Sequence, residues 1–440
     1  MYENIVLIAG AGPAGLTLAI DLARRGVAIR VIDAASTPFA GSRGKGIQPR
    51  TLDVFDDLGV IDAILAGGGL YPRMRYHFGP FSLPGKPMAP TRPATASTPY
   101  PNPWMVPQAR TEAILRERLK ALGGVVEFGT ALVSFSQNDR GVEASLSTGE
   151  VVRAAYLVGA DGGRSAVRKA LGLKLSGETI DERLRMVADL EVDGLDRAYW
   201  HIWPIAKGGM ILLCPLAKTD LFQYVSAAKA AEKGIEAHVR AATGHTVTRI
   251  AWSSTYQPSA RMVDRYRVGR VFLAGDAAHV HPPTGGQGLN TSVQDSYNLG
   301  WKLAHVMRGG PDALLDTYEE ERLPVAASVL GLSKQLYVTR SRKRGDATNQ
   351  LSLNYRTSSL SSGAPYGSLH PGDRMPDAQL EDGGRLFDRL RGPHATELVM
   401  PDGIRILIRP DGYIARIGTS PVGEYAGAPT HRVAAPALRR

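Results

Sequence analysis

The sequence is poor in cysteine, because Cys214 is the only one among 440 residues. A single cysteine excludes an intrachain disulfide and a dithiol redox motif, and it is typical of a reducing compartment. Cys214 lies in the apolar run MILLCPL, which predicts a buried core position. No apolar run approaches the ~20 residues that span a bilayer, and the first residues show no basic leader. We therefore expect a cytoplasmic protein with no membrane partner.

The chain also lacks the signatures of nucleic-acid binding, although its net charge is +10. The densest basic run is RSRKR at residues 340–344, and neither zinc-ligand spacing nor an RNA-binding motif accompanies it. We therefore expect no nucleic-acid partner. A hydrophobic fraction of 43% and a charged fraction of 21% are typical of a globular enzyme. The length favours two or three domains.

The N-terminal segment has the pattern of a strand, a glycine-rich turn, a helix and a second strand. GAGPAG follows the apolar residues 5–8, and the second strand ends at Asp33. The first glycine permits a tight turn, the second lets a pyrophosphate approach, and the third lets the helix pack on the strand. The acid accepts hydrogen bonds from a ribose. This pattern predicts a dinucleotide site formed by Gly10, Gly12, Pro13, Ala14, Gly15 and Asp33.

The stretch GDAAHVHPPTGGQGLN, residues 275–290, is the most informative part of the chain. It follows an apolar strand and precedes a helix. Glycines at a helix start let backbone N–H groups approach a bound group, and the helix N-terminus favours an anion. His279 and His281 stand beside Asp276, but no third ligand is evident, so we predict no metal site.

Three segments occur together in the order typical of one family. The glycine-rich turn, GADGGRS at residues 159–165, and the Gly275–Asp276 pair resemble the motifs of the FAD-dependent aromatic hydroxylases. These are the p-hydroxybenzoate hydroxylase-like group A flavoprotein monooxygenases, and the likeness is nearest to their polyketide and phenol hydroxylase branch. Ser292 departs from the glycine common in that family. The resemblance implies further FAD contacts from Arg43, Gln108, Asp161, Gly275, Asp276, Pro283, Gly286, Gly288, Leu289 and Asn290.

The same resemblance implies the architecture of about the first 340 residues. We expect an α/β protein with a discontinuous Rossmann-like FAD-binding domain at residues 1–75, 105–180 and 265–340. An inserted antiparallel-sheet domain at residues 76–104 and 181–264 is expected to bind the substrate.

The remaining chain departs further from the family pattern. Residues 341–371, rich in Ser and Gly, predict a linker, and residues 372–440 resemble a shortened thioredoxin-like module. We expect that module to serve packing or oligomerisation, in a monomer or a homodimer. Pro324 predicts a break between a helix at 313–322 and another at 325–340.

The family resemblance implies a reaction. NAD(P)H reduces FAD, the reduced flavin adds O₂ to give a C4a-hydroperoxyflavin, and one oxygen atom passes to an aromatic or polyketide-type substrate. Pro283 is expected near the oxygen-reacting face, where its ring shapes the pocket without a donor N–H. His201 is a candidate base for a phenolic proton. Aromatic candidates for the substrate wall, each of which also fits an ordinary core position, are Trp104, Trp200, Trp203 and Tyr224.

Two alternatives remain open. The same cofactor cycle could end in epoxidation or Baeyer–Villiger oxygenation rather than hydroxylation. The chain could also bind FAD and an aromatic ligand without turnover. The sequence does not encode the shape of the substrate pocket, so it leaves the substrate open.

Overall fold

The computed structural model describes residues 2–206, 209–339, 341, 345–380, 382–425 and 428–434. It is a mixed α/β structure, as the sequence predicts. The α-helices are α1 (Pro13–Arg24), α2 (Pro49–Asp57), α3 (Ile61–Ala66), α4 (Gln108–Ala121), α5 (Ala166–Ala170), α6 (Ile235–Thr243), α7 (Gly288–Met307), α8 (Asp316–Val338), α9 (Asp346–Asn349) and α10 (Leu386–Leu390). None of these described helices is long and apolar enough to cross a membrane.

The largest sheet has eight strands and a parallel core. The strands that end at Ala9, Asp33, Gly159 and Leu273 run parallel, so their carboxyl ends share one edge. In a doubly wound sheet this edge is the ligand-binding side. The eight strands are Glu3–Ala9, Ala28–Asp33, Val126–Phe128, Leu132–Asn138, Gly141–Leu146, Val151–Gly159, Arg267–Val268 and Val271–Leu273.

Helices α1 and α7 pack closely against each other beside this sheet. Gly300 of α7 permits the approach, because a Cβ there would lie 3.0 Å from the Cβ of Asp21. Asp21 is fully buried in α1, where it accepts hydrogen bonds from Arg24 at 2.7 Å and from Arg25 at 3.1 Å. The first turns of both helices point to the ligand-binding edge.

A second sheet has seven strands and is antiparallel except where Tyr199–Trp203 pairs with Arg73–Phe78. Side chains alternate between its two faces. One face packs against α6, and the other packs against Met88 and Met105. The strands are Arg73–Phe78, Phe81–Pro84, Arg185–Val192, Tyr199–Trp203, Ile211–Pro215, Phe222–Ala227 and Val247–Tyr256.

Two three-stranded sheets connect these units. One consists of Gly46–Ile47, Gly69–Leu70 and Trp104–Met105. Trp104 packs on the core of the eight-stranded sheet, and Met105 packs with Trp200 of the seven-stranded sheet. The other consists of Ser176–Thr179, Ser259–Met262 and His279–Val280.

The predicted helix break at Pro324 is wrong, because α8 runs without interruption from Asp316 to Val338. The proline removes one backbone donor, but buried side chains hold the helix on both sides of it. Glu321 and Arg322 are buried in ion pairs before the proline, and Val325 and Ala326 are buried in apolar contacts after it. Tertiary packing therefore outweighs the local preference.

The C-terminal residues form a five-stranded sheet with α10 beside it. Thr348, Gln350 and Tyr355, from the predicted linker, are buried against the rest of the protein. The basic residues of the run 340–344 lie outside the described residues. The division into domains stays a prediction. The five strands are Ser362–Gly363, Thr396–Val399, Arg405–Ile408, Ile414–Gly418 and His431–Ala434.

Candidate active site

In the glycine-rich turn before α1, Gly10 and Gly15 have no room for a side chain, whereas Gly12 has free space beside it. A Cβ at Gly10 would collide with the Ala160 carbonyl, and one at Gly15 would collide with the Gly10 carbonyl. A Cβ at Gly12 would meet no atom within 4 Å. Gly12 directly precedes α1, and no side chain caps that helix. The first N–H groups of α1 are therefore approachable, which suits a pyrophosphate.

Asp33 lies beside this turn. Its carboxylate accepts hydrogen bonds from the backbone N–H of Ala11 at 2.7 Å and of Ala35 at 2.8 Å. These bonds fix its orientation and leave acceptor capacity, because an ionised carboxylate has about four acceptor positions. The structure thus brings the predicted acid and the predicted turn together.

Asp161 stands at the same edge, after the strand Val151–Gly159. Its Oδ2 accepts hydrogen bonds from the N–H groups of Ala166 and Val167 at 2.7 and 3.2 Å, which anchors the start of α5. Its Oδ1 is buried and has no partner among the described residues. A buried acceptor without a partner is costly, so a ligand hydroxyl donating to Oδ1 would be stabilised there.

The Gly275–Asp276 pair completes the edge. Gly275 has a φ of +61°, and a Cβ there would lie 2.8 Å from the Ser292 Oγ, so glycine is required. The side chain of Asp276 is exposed to solvent. The surrounding protein nevertheless desolvates the carboxylate and raises the pKa of Asp276, although His279 and Arg43 oppose the shift.

The N-terminus of α7 carries no side-chain cap. Gly285 and Gly286 have φ values of +99° and +63°, which turn the chain into the helix. Pro282 is buried and Pro283 is exposed. A Cβ at Gly288 would meet no atom closer than 3.8 Å, and no side chain caps the helix. The first turn of α7 can therefore receive a partly negative ring edge.

The side chain of Asn290 is fully engaged inside the protein. Its Nδ2 donates to the carbonyl of Gly46 at 2.8 Å and to that of Gly286 at 2.6 Å. Its Oδ1 accepts from the N–H of Gln48 at 2.7 Å. Asn290 therefore holds the loop before α7 against the strand Gly46–Ile47 and offers a ligand only its backbone.

The loop that carries Arg43 meets the start of α7. The Oε1 of Gln108 accepts a hydrogen bond from the Gly44 N–H at 2.9 Å, and a Cβ at Gly44 would lie 3.2 Å from Leu289. The Arg43 guanidinium is exposed and donates to the Ser254 Oγ at 3.1 Å. The structure therefore gathers Arg43, Gln108 and Leu289 at one place.

Glu112 is a residue of this site that the sequence analysis missed. The Nε2 of Gln108 donates to its carboxylate at 2.9 Å. Burial raises the pKa of Glu112 to about 7, and the nearby Asp33 adds to the rise. The spacing of four residues from Gln108 could have predicted this contact, because i and i+4 side chains share a helix face.

Strand alternation divides the predicted substrate residues between the two faces of the seven-stranded sheet. Trp200 packs with Met105 and Cys214 on the face toward Gly46. On the opposite face lie His201, Trp203 and Tyr224. The Nε2 of His201 lies 2.6 Å from the Asp196 carbonyl oxygen.

The residues on the far face are engaged with one another and with α6. The His77 ring stacks on Trp203 with centres 4.2 Å apart, and its Nε2 lies 2.8 Å from the Nδ1 of His201. The Tyr224 hydroxyl lies 2.6 Å from the Nδ1 of His238 in α6. This arrangement does not bring His201, Trp203 or Tyr224 together with Trp200.

Trp104 lies apart from both groups. Its Nε1 donates to the Leu65 carbonyl at 3.2 Å, and its ring packs against the core of the eight-stranded sheet. Its neighbour Met105 points the other way and joins the cluster around Trp200.

Lys45 and Tyr71 are the polar neighbours of Trp200 that the sequence analysis missed. The Lys45 ammonium lies 4.7 Å from the centre of the Trp200 ring and donates to Gln223 at 2.5 Å. The Tyr71 ring lies 6.2 Å from that of Trp200, and its hydroxyl is 2.5 Å from the place of a Cβ on Gly46. Lys45 was visible in the segment with Arg43, whereas no pattern marked Tyr71.

His279 and His281 lie close together, but the described residues contain no group of three His, Cys, Asp or Glu side chains placed to hold a metal ion. The Nε2 of His279 lies 2.6 Å from a carboxylate oxygen of Asp295, which is itself paired with Arg322. The two histidines therefore belong to a hydrogen-bonded network.

Comparison with known proteins identifies the family. A sequence model of the FAD binding domain family matches residues 3–333, about three quarters of the chain. This chain belongs to that family. A flavin-dependent monooxygenase of Mycobacteroides abscessus is 45% identical, across 93% of this chain and 96% of the relative. A rifampicin monooxygenase of Streptomyces venezuelae is 32% identical, across 94% of this chain and 95% of the relative.

Solved structures agree with this assignment. The OxyS anhydrotetracycline hydroxylase from Streptomyces rimosus superimposes with a TM-score of 0.72 at 29% identity, and the match covers 94% of this chain and 95% of that one. The predictions of the family, of the α/β fold, of FAD as the cofactor and of a flavin-dependent monooxygenase are confirmed.

The residues at the ligand-binding edge fit FAD. The open approach at Gly12 and the unpartnered Oδ1 of Asp161 suit a pyrophosphate and a hydroxyl group, respectively. The uncapped start of α7 would suit the ring edge on which negative charge develops when the flavin is reduced.

Proposed function

We propose that this chain hydroxylates an aromatic or polyketide-type substrate, with O₂ and with electrons from NADPH or NADH. The observation that carries the proposal is the closeness of the start of α7 to the aromatic residues around Trp200. The open N-terminus of α7 and the aromatic cluster around Trp200 lie on either side of Gly46, which Asn290 contacts on one side and Tyr71 on the other.

The protein's part in FAD binding follows from the contacts at the sheet edge. The first turn of α1 binds the pyrophosphate, and Asp33 and Asp276 accept hydrogen bonds from ribose and ribityl hydroxyls. Bound FAD supplies hydride acceptance and oxygen activation. The backbone N–H groups at the start of α7 would stabilise negative charge on the flavin, and Pro283 would shape the adjoining pocket without a competing donor.

The substrate is proposed to lie between Trp200 and the start of α7. Trp200 and Tyr71 offer flat apolar surface, and Lys45 offers a positive charge to an acidic phenol or enol. The relatives whose names mention rifampicin and anhydrotetracycline favour a multi-ring substrate. His201, Trp203, Tyr224 and Trp104 remain candidates of lower priority, because they face away from this space.

Three predictions about partners and assembly remain without a test. They are a monomer or homodimer, the absence of nucleic-acid and membrane partners, and a cytoplasmic location. The two alternative functions also remain open, and each differs from hydroxylation in a measurable product.

Ligand-stimulated oxidation of NAD(P)H by the FAD-loaded protein tests the proposal. The panel should contain phenols, naphthoquinones, anthraquinones, a tetracycline precursor and an ansamycin. We expect one class to accelerate NAD(P)H oxidation with little release of H₂O₂, because a filled pocket excludes water. Product connectivity then separates hydroxylation from epoxidation and Baeyer–Villiger insertion. Tight ligand binding without any acceleration would support the binding-only alternative.

A further inference from the structure

A chain of hydrogen bonds runs from the segment before α7 to the back of that helix. The Nε2 of His281 lies 2.9 Å from the Nδ1 of His279, and the Nε2 of His279 lies 2.6 Å from the Oδ2 of Asp295. The Oδ1 of Asp295 accepts from Arg322 at 2.8 Å. The side chains of His279, Asp295 and Arg322 are fully buried. The proposed function uses none of these groups.

The outer end of this chain lies beside the start of α7. His281 lies two residues before Pro283, and its Cδ2 is 3.8 Å from the place of a Cβ on Gly288. Its Nδ1 is buried and has no partner among the residues that the structure describes. The Nε2 of His281 is therefore hydrogen-bonded to His279, whereas its Nδ1 has no partner among the described residues.

The ion pair at the inner end sets the direction of every hydrogen bond. Burial works to raise the pKa of Asp295, but His279 and Arg322 outweigh it and the pKa is lowered. An ionised Asp295 only accepts, so the Nε2 of His279 must donate. When His279 is neutral, its Nδ1 accepts from His281, and the Nδ1 of His281 carries a lone pair.

A proton added to His279 reverses the direction of its hydrogen bond with His281. When His279 is charged, both of its nitrogens donate, so the Nε2 of His281 must accept. The proton of a neutral His281 then sits on Nδ1, and the unlinked nitrogen becomes a donor. The charge of His279 thus decides whether the Nδ1 of His281 carries a lone pair or a proton.

We propose that His281, His279 and Asp295 form a proton relay that serves the bound flavin and substrate. The inference rests on the proposed function, because NAD(P)H-driven oxygen insertion with release of water consumes one proton per turnover. In delivery, the Nδ1–H bond of His281 breaks, and its Nε2 takes the Nδ1 proton of His279. Both rings end neutral, and one proton has left the protein. The same steps in reverse recharge His279 through the Nδ1 of His281, because the inner end closes on the buried pair of Asp295 and Arg322.

The two rings differ in their surroundings, since His279 is hydrogen-bonded to a carboxylate and His281 is not. Burial lowers the pKa of His281 well below its usual range, and His279 adds to the lowering. His279 faces the carboxylate of Asp295 directly and Asp276 more distantly. The remaining ionisable neighbours are the Arg322 guanidinium and the hydroxyls of Tyr266, Tyr318 and Tyr355. Tyr266 stacks on His279, with ring centres 6.1 Å apart.

Nitrogen-15 NMR of histidine-labelled full-length protein tests the relay directly. In the state with neutral His279 we expect His281 as the Nε2–H tautomer. When His279 gains a proton, the proton of His281 should move to Nδ1 in the same step. FAD loading should shift the Nδ1 resonance of His281 and leave the distant His245 unchanged. A fixed tautomer, an independent titration of His281, or no response to bound FAD would overturn the relay.

Two substitutions separate the relay from simpler roles. His281→Gln keeps a polar atom near the Nε2 position, and His281→Asn keeps one near the Nδ1 position. A relay needs both atoms in one ring, so both variants should change the proton affinity of reduced, bound FAD by about tenfold or more, read from the pH profile of its absorbance. A wild-type profile in either variant would overturn the relay.

FAD content is measured first on the wild-type protein. Failure to bind FAD contradicts the proposed function, whereas normal binding with unresponsive histidines contradicts only the relay. His245→Gln is the matched control, and its profile should equal that of the wild type.

Discussion

The guanidinium of Arg409 donates two hydrogen bonds to the carboxylate of Glu321, at 2.5 and 2.9 Å, and both side chains are fully buried. Arg409 directly follows the strand Arg405–Ile408 of the C-terminal sheet, and Glu321 belongs to α8 beside the ligand-binding edge. Lys302 of α7 donates to the same carboxylate at 2.7 Å. Buried charges therefore join the C-terminal residues to the helices behind the site.

Removing one partner of this network should destabilise the protein strongly. Arg409→Met leaves a buried carboxylate less compensated, and we expect the free energy of unfolding to fall by about 3–5 kcal/mol. Urea unfolding measures the change. Arg153→Met breaks the exposed pair with Glu143 and is the control, which should change little. Equal effects of the two substitutions would contradict a structural role for the buried network.

Gly12 should be required for FAD binding but not for folding. Its φ of −76° and ψ of −174° suit any residue, and a Cβ would meet no protein atom within 4 Å. Gly12→Ala should therefore leave the unfolding midpoint of the apoprotein nearly unchanged. Its methyl group would occupy the pyrophosphate approach, so the dissociation constant of FAD should rise about tenfold or more.

Gly331→Ala is the matched control for this substitution, because Gly331 also has no neighbour within 4 Å of a Cβ, is exposed on α8 and belongs to neither glycine-rich turn. Fluorescence titration of the apoproteins with FAD gives the constants. Unchanged FAD affinity in Gly12→Ala would show that the pyrophosphate binds elsewhere.

Glu112 should make the stability depend on pH. Burial raises its pKa from 4.5 to about 7 in the folded protein. Between these values the folded state holds a proton that the unfolded state releases, so this contribution to stability falls as the pH rises, by about 1.4 kcal/mol per pH unit. Glu112→Gln cannot ionise and should lose this dependence. The slope is read from urea unfolding between pH 4.5 and 7. Parallel profiles for the two proteins would be inconsistent with the shifted pKa.

Trp200 and Trp203 should differ in their effect on ligand binding. Both are buried in one strand, on opposite faces of the sheet. Trp200→Phe should weaken binding of the stimulating aromatic ligand about tenfold, because its indole faces the proposed pocket. Trp203→Phe is the control and should lower mainly the unfolding midpoint. The reverse pattern would place the substrate on the α6 side, with His201 and Tyr224.

The sequence predicts those parts of the site that depend on local backbone geometry. Gly10 and Gly15 are required by close backbone contacts, and Gly275 by its positive φ and its contact with Ser292. Such constraints leave a recognisable pattern of glycines. Parallel strands then bring Asp33 and Asp161 to one edge, since their carboxyl ends must coincide. The family, the fold class and the cofactor followed from these patterns.

Contacts between distant segments were not predictable in this way. Strand alternation predicts that Trp200 and His201 lie on opposite faces of the sheet. It does not predict which face packs against Lys45, because Lys45 lies far away in the sequence. The pairing of Glu321 with Arg409 joins residues far apart in the chain. The continuity of α8 through Pro324 likewise depends on buried partners on either side.

Turnover under oxygen-18 gas, with the most stimulating ligand and unlabelled water, tests the assignment as a monooxygenase most directly. Mass spectrometry should show a product heavier than the ligand by one oxygen atom, and that atom should carry the label. A product whose added oxygen comes from water, or a ligand recovered unchanged while NAD(P)H is consumed, would contradict the assignment.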